Sequence, residues 1–290
     1  MENNKRINKY ISDSGFCSRR EADGFIDAGQ VLVNNTIATS GTKVTEGDKV
    51  VVNGREIVDY IEKIYIALNK PSGITCTTDK KDSTNIVDFV GFRERIFPIG
   101  RIDKDSEGLI FLTNDGDIVN QILRAGNNHE KEYIVTVDHQ ITEQFLRKMA
   151  TGVRIHQTTT LPCKIQRIKG ASFKITLTQG LNQQIRLMCE ALGYNVVNLK
   201  RTRIMNIDLK GIETGSWRHL TKSELENIKK AVESSSKTEE ASKLQGRNST
   251  AKNQHKSNAS VRFTKMQKKL AGEYKKKKSP IRNKMKSKKK

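Results

Sequence analysis

Two hydrophobic periodicities interleave along this chain without a regular order, and that interleaving restricts its fold more than any other feature. Apolar residues alternate in "IYIALNK" from Ile64, in "EYIVTV" from Glu132 and in "SFKITLT" from Ser172, as in half-buried strands. Between and after them, "DIVNQILR" (117–124) and "LNQQIRLMCEALG" (181–193) repeat apolar residues at helical spacing. Strands and helices do not alternate as βα units, so the pattern predicts an α+β domain with a mainly antiparallel sheet. The chain's 290 residues leave room for one such domain and a smaller one.

The smaller one reads from residues 5 to 54. Ile7, Tyr10 and Ile11 follow helical spacing, and "SRRE" at Ser18–Glu21 is a capping box opening a second helix with Ala22, Phe25 and Ile26 on its apolar stripe. Short strands follow: "VLV" at 31–33, a turn at Asn34-Asn35, and "KVVVNG" closing on Asn53-Gly54. Two helices on a small sheet would leave Lys5, Arg6, Lys9, Arg19 and Arg20 near the helix starts, where backbone N–H groups also favour phosphate.

Charge sorts the rest of the chain. Of a net +21, residues 235–290 hold 19 Lys/Arg against three acids, leaving only +5 for residues 1–234. A tail ending "KKKKSPIRNKMKSKKK" cannot bury enough apolar surface to order itself, and is expected to be a disordered arm for a polyanion. The start "MENNKRINKY" has no signal-peptide apolar stretch, and no apolar run approaches the length of a membrane span, so a cytoplasmic protein is expected. Cys17, Cys76, Cys163 and Cys189 lie far apart and the five His show no ligand spacing near them, which argues against a disulfide framework or a metal site. Cys189 falls in a helical apolar pattern and reads as a buried thiol.

One stretch carries more charge beside the core than folding needs. "PIGRIDKDSEGLIFLTNDGD" (98–117) sets Arg101, Asp103 and Asp105 within five positions and runs straight into an apolar strand. On an extended strand the two acids would share a face and repel. Asp105 and Ser106 are good turn residues before Gly108, whereas Asp103 follows the alternation of "IGRID" from within the sheet, so Asp103 is expected to be the constrained carboxylate.

Two resemblances give these residues roles. "RINKYISDSGFCSRREADGFIDAGQVLVNN" resembles the alpha-L RNA-binding motif of a ribosomal small-subunit protein (an S-four-like domain), implying recognition of RNA shape and phosphate over residues 1–60. "NKPSGI", "GRIDKDSEGL", "KEY" (131–133) and "GLNQQIRLMCEALG" then resemble, in order, the motifs of the RsuA-like pseudouridine synthases, implying a catalytic domain over residues 61–234. "LRAGNNHEKEYIVTV" and "KRTRIMNI" strengthen the resemblance.

The family resemblance implies that Asp103 is the essential aspartate, that Arg186 pairs with it, and that Tyr133 lies against the uracil. It implies that Arg101 fills the place of a flipped-out base, and that Lys104, Gln183, Gln184, Lys200, Arg201 and Arg203 belong to the RNA track. Lys70 and Pro71 are expected to shape the floor of the site. No cofactor or metal is implied; the expected partners are 23S rRNA and, as an additional candidate, a tRNA anticodon arm, bound by a monomer. Where the family commonly has basic residues this chain has Gln183 and Leu187, which puts its phosphate grip near Arg186 in doubt.

A non-catalytic, ribosome-associated RNA-binding protein would account for the first module and the tail, but would leave Asp103, Tyr133 and Arg186 unused. A hydrolase working through Asp103 and Asp105 is a poor fit, because acids two residues apart are hard to place on opposite sides of a scissile bond.

Overall fold

Local rules shape the N-terminal module. In the computed structural model, which describes residues 4–58, 62–123 and 129–233, it comprises β1 (Lys5–Arg6), α1 (Ile7–Asp13), α2 (Arg19–Asp27), β2 (Val31–Val33), β3 (Thr36–Ile37), β4 (Lys43–Val44), β5 (Val50–Val52) and β6 (Arg55–Ile57). The capping box forms as expected: the Ser18 hydroxyl accepts from Glu21 N–H at 3.2 Å, and the Glu21 carboxylate accepts from Ser18 N–H at 2.8 Å. Helix α2 ends in a Schellman motif, with Gly29 N–H donating to Ile26 O and Gln30 N–H to Phe25 O. Asn34-Asn35 and Asn53-Gly54 take the left-handed backbone of two-residue hairpins, giving a sheet of order β3-β2-β5-β6 beside the β1·β4 pair. Ile7, Ile11, Ala22, Ile26, Val31 and Val52 close the core between helices and sheet.

The second part contains β7 (Tyr65–Lys70), α3 (Ile86–Val90), β8 (Phe97–Ile99), β9 (Glu107–Thr113), α4 (Gly116–Leu123), β10 (Lys131–Val137) and α5 (Glu143–Thr151). It continues with β11 (Arg154–Ile155), β12 (Thr158–Thr159), β13 (Lys164–Lys169), β14 (Ser172–Leu177), α6 (Gln184–Ala191), β15 (Val196–Ile204), β16 (Ile207–Asp208), β17 (Trp217–His219) and α7 (Lys222–Glu233). Its main sheet runs β13-β14-β10-β15-β9-β7-β17, with β8 on β9 and β16 on β15. Among the described residues every pair in it is antiparallel except β9·β15, as the mixed periodicities predict.

That parallel pair joins two antiparallel halves. Each half has its own core: Val135, Phe173, Ile175, Met188 and Leu199 under α5 and α6 in one, and layers on both faces of β7 and β9 in the other. All six residues of β7 are therefore buried, which corrects the half-buried strand read from its alternation. Ile66 and Leu68 pack against Ile86 and Ile110 on one face, while Tyr65 and Ala67 pack against Phe111 and Ile228 on the other.

The seam between the halves has only two register pairs, Lys200↔Glu107 and Arg201↔Gly108. Gly108 has φ +102°, and a Cβ there would overlap the Arg201 carbonyl and lie 2.8 Å from its nitrogen, so only glycine lets the strands approach. Among the described residues no helix is long and apolar enough to cross a membrane. The expected Lys-rich arm, 235–290, lies outside the described residues, as does the expected domain boundary at 60/61.

Gly108→Ala is expected to cost about 3 kcal/mol, through backbone strain added to overpacking. Gly54→Ala, with φ +75° but open space around it, should cost about 1 to 2 kcal/mol. Urea unfolding of both variants measures the difference.

Candidate active site

The charged stretch after β8 is a turn, and a buried lysine holds it. Ser106 N–H donates to Asp103 O at 3.1 Å, which places Asp103 at the first position of the turn. This corrects the expectation that Asp103 projects from the sheet: the chain leaves β8 at Ile99 and re-enters at Glu107, so the repulsion between Asp103 and Asp105 is relieved by leaving the strand. Lys70, fully buried at the end of β7, donates to the carbonyls of Pro71 (2.8 Å), Ile74 (2.9 Å) and Lys104 (3.1 Å). Burial pulls its ammonium below the ordinary lysine pKa, opposed by nearby Cys76 and the carboxylates of Asp105, Glu107 and Asp103.

Across the seam, α6 sends Arg186 to the same turn. Its Nε lies 3.2 Å from Asp103 Oδ2, its Nη2 donates to Ser106 Oγ at 3.2 Å, and its Nη1 to the Val196 carbonyl at 3.3 Å. The guanidinium thus ties together the turn, the buried Ser106 and the start of β15. The side chains of Asp103 and Arg186 keep 30% and 25% of their surface exposed, so the pair faces an open cleft.

That open cleft has a cavity volume of about 80 Å³ and is lined by Arg101, Asp103, Ser106 and Glu107 from the turn and the start of β9, Tyr133 of β10, Leu199 and Arg201 of β15, and residues from the 179–185 segment before and into α6. Tyr133 and Arg201 are cross-strand partners, which brings the tyrosine to the wall facing Asp103. The structure therefore gathers Arg101, Asp103 and Tyr133 around one cavity, with Arg186 bonded to Asp103 and Ser106 of its lining, although the turn, β10 and α6 lie far apart in sequence.

Other expected RNA contacts divide. Arg6, Arg19, Arg20, Arg101, Lys104 and Gln183 are exposed, and Lys5 and Lys200 half-buried. Lys9 is engaged by Asp13 (2.6 Å) and by Asp117 (3.0 Å) at the start of α4. Gln184 is only 4% exposed: its amide oxygen accepts from Leu181 N–H at 3.0 Å, so it braces the cleft wall and does not offer a surface contact. Arg201, also 4% exposed, donates Nε to the Leu109 carbonyl at 2.6 Å across the seam, and so cannot line an exposed track. Arg203 is pulled to Glu130 (2.9 Å) and the Met205 carbonyl, because β15 places it on the sheet face that carries those acceptors. For Arg201 and Arg203 tertiary packing supplies an acceptor that the sequence does not reveal.

Sequence reasoning missed Ser106 and the Val196 carbonyl as anchors of Arg186; Ser106 stood out only as a turn former. It also missed Lys131 in "KEY", whose ammonium burial, with the Arg201 charge, pushes down to about 8.

Residues 5–50 match the S4 domain, and residues 64–191 match the RNA pseudouridylate synthase domain. The chain is 58% identical over 233 residues to a dual-specificity RNA pseudouridine synthase RluF of Salmonella typhi, covering 80% of this chain and 81% of that one. It is 57% identical over 233 residues to the Escherichia coli (strain K12) protein of the same name, covering 80% of each. It is 35% identical over 234 residues to ribosomal large subunit pseudouridine synthase B of Bacillus subtilis (strain 168), covering 78% of this chain and 96% of that one. A crystal structure of a pseudouridylate synthase superposes with a TM-score of 0.58 at 28% identity, covering 77% of this chain and 99% of that one. An RNA-binding S4 domain followed by a synthase domain defines an RNA-modifying isomerase. The chain belongs to the RsuA-like family of RNA pseudouridine synthases.

A lysine with a lowered folded-state pKa costs stability while it is charged, below about pH 8, and the cost fades as pH rises toward the ordinary value near 10.4. Lys131→Met is therefore expected to stabilise the chain by about 2 kcal/mol at pH 7. The advantage should shrink by pH 10. Urea midpoints for both proteins across that range measure it.

Proposed function

We propose that this chain isomerises a uridine in a stem-loop of large-subunit (23S) ribosomal RNA, with a tRNA anticodon arm as a second substrate. The observation that carries the reading is the three-way grip of Arg186 on Asp103, Ser106 and Val196, which holds Asp103 in the cleft it shares with Tyr133. The relatives' names support the substrate class: one is a large-subunit synthase and others are of dual specificity. In this reading residues 1–60 hold the RNA, residues 61–234 carry the chemistry, and the Lys-rich arm adds sequence-independent attraction. Asp103, Tyr133 and Arg186 come from one chain, which supports a monomer, and the ribosomal substrate supports a cytoplasmic setting.

The flipped uridine enters the cleft while Arg101, exposed at its mouth, takes the vacated place in the stack. The Asp103 carboxylate meets the electron-poor C1′ as the bond from N1 breaks and its electron pair stays on the uracil. The base turns against Tyr133, C5 bonds to C1′, and the proton on C5 is passed on while N1 regains one. Atoms and electrons balance without a co-reactant. Arg186 holds the carboxylate toward the cavity in a direction that the turn alone leaves free.

Asp103→Asn is expected to abolish pseudouridine while changing RNA affinity by less than about threefold, because one carboxylate adds nothing attractive to a polyanion. Asp105→Asn should stay active. Position-resolved carbodiimide mapping of ribosomal RNA and tRNA treated with each protein reads both, and an active Asp103→Asn would sink the assignment.

Arg186→Ala should slow turnover about 100-fold, or about 2.7 kcal/mol, less than for a fully buried pair because solvent reaches both partners. Arg186→Lys should recover little of it, since an ammonium cannot reach three acceptors lying in three directions. Single-turnover rates at saturating RNA provide the measurement.

A further inference from the structure

Between β7 and α3 the chain makes a tight turn with two lysines at its tip, which the cleft chemistry does not use. Asp79 O accepts from Asp82 N–H at 3.1 Å, and the Asp79 carboxylate from Lys81 N–H at 3.0 Å. The Asp82 carboxylate accepts from the Thr84 N–H (2.8 Å) and hydroxyl (2.6 Å), and Asn85 Nδ2 donates to Asp82 O at 2.8 Å. Both acids are occupied in shaping the turn. Lys80 and Lys81 are exposed, and neither is in an ion pair among the described residues.

The base of this segment is fastened to the catalytic turn. Gly73 N–H donates to the Lys104 carbonyl at 2.8 Å, Ser72 Oγ to that of Asp105 at 3.3 Å, and Lys70 bridges Ile74 and Lys104. Paired Thr75 and Asn85 close the neck of the loop. Its tip, with Lys80 and Lys81, projects into solvent beyond that neck. Asp82, held low mainly by Thr84, feels Lys104.

Exposed Lys80 and Lys81 therefore stand on a loop whose base is fastened to the turn that carries exposed Lys104 and Arg101 at the cleft mouth. Along β15 the cations are less available, because Arg201 is buried in the cleft wall and Arg203 is paired with Glu130. We propose that Lys80 and Lys81 bind backbone phosphates of the substrate RNA beside the cleft mouth. The proposal rests on the reading of this chain as a synthase acting on a structured RNA. A rigid turn tied at its base to Lys104 and Asp105 would set the distance between the gripped stem and the flipped uridine.

The test compares the full chain with Lys80→Ala/Lys81→Ala, using a large-subunit rRNA stem-loop as the probe. Affinity is expected to fall about tenfold at moderate salt, and the log–log salt slope by about 1.4 to 1.8, two phosphate contacts' worth. The single-turnover rate at saturating RNA should be unchanged. Lys229→Ala/Lys230→Ala on the exposed face of α7 serves as the charge control and should change affinity by less than about twofold. An unchanged affinity and slope, or an equal loss in the control, would overturn the proposal. So would a fall in saturating rate at unchanged affinity, which would make the turn a brace for Asp103. RNA binding that depends on the two lysines without any pseudouridine formed by the unaltered chain would instead overturn the functional reading and leave this surface standing.

Discussion

The close approach of two backbones at Gly108 and Arg201 is the constraint on which the site depends. It joins two antiparallel half-sheets through a parallel seam only two residue pairs long. A parallel pair needs a crossover between its strands, and here nearly the whole second half of the domain serves as that crossover. The turn before β9 and the wall formed by β10, β15 and α6 meet where the seam ends, and the cleft is the space left between them. Asp103 comes from one half, and Tyr133 and Arg186 from the other.

Cations in this chain have two different jobs, and burial separates them. Lys70 and Arg201 are inside: Lys70 satisfies three backbone carbonyls around the turn, and Arg201 gives Nε to the Leu109 carbonyl at the seam while its Nη2 is buried without a hydrogen-bond partner. Such a charge is costly to desolvate, and the bonds it makes offset part of that cost while fixing loop and seam geometry. Arg19, Arg20, Lys80, Lys81, Arg101 and Lys104 remain in water and free to meet phosphate. Net charge alone does not separate the two sets.

Where a structure depended on residues close in sequence, it could be read directly. The Ser18–Glu21 capping box, the Asn34-Asn35 and Asn53-Gly54 hairpins and the helical stripe of α6 are set by steric and hydrogen-bonding preferences within a few residues. The mixture of periods also indicated an antiparallel α+β sheet. Motif order linked Asp103, Tyr133 and Arg186 to one chemistry, but only as a resemblance; periodicity by itself would have left Tyr133 as strand core.

Long-range packing decided the remainder. Alternation in "IYIALNK" indicated a half-buried strand, yet β7 lies between two apolar layers, because strand order in a sheet is not encoded in any single strand. The resemblance placed Arg201, Arg203 and Gln184 on the RNA track, yet Arg201 and Arg203 are drawn to a carbonyl and a carboxylate from segments elsewhere in the fold, and Gln184 is buried against its own loop at Leu181. By itself the sequence determined the short-range elements, the α+β class and the carboxylate most constrained by its neighbours. The tertiary structure alone decided which cations stay at the surface and which side chains share the cleft, since both follow from the meeting of segments about 80 to 90 residues apart, beyond the reach of local backbone preference.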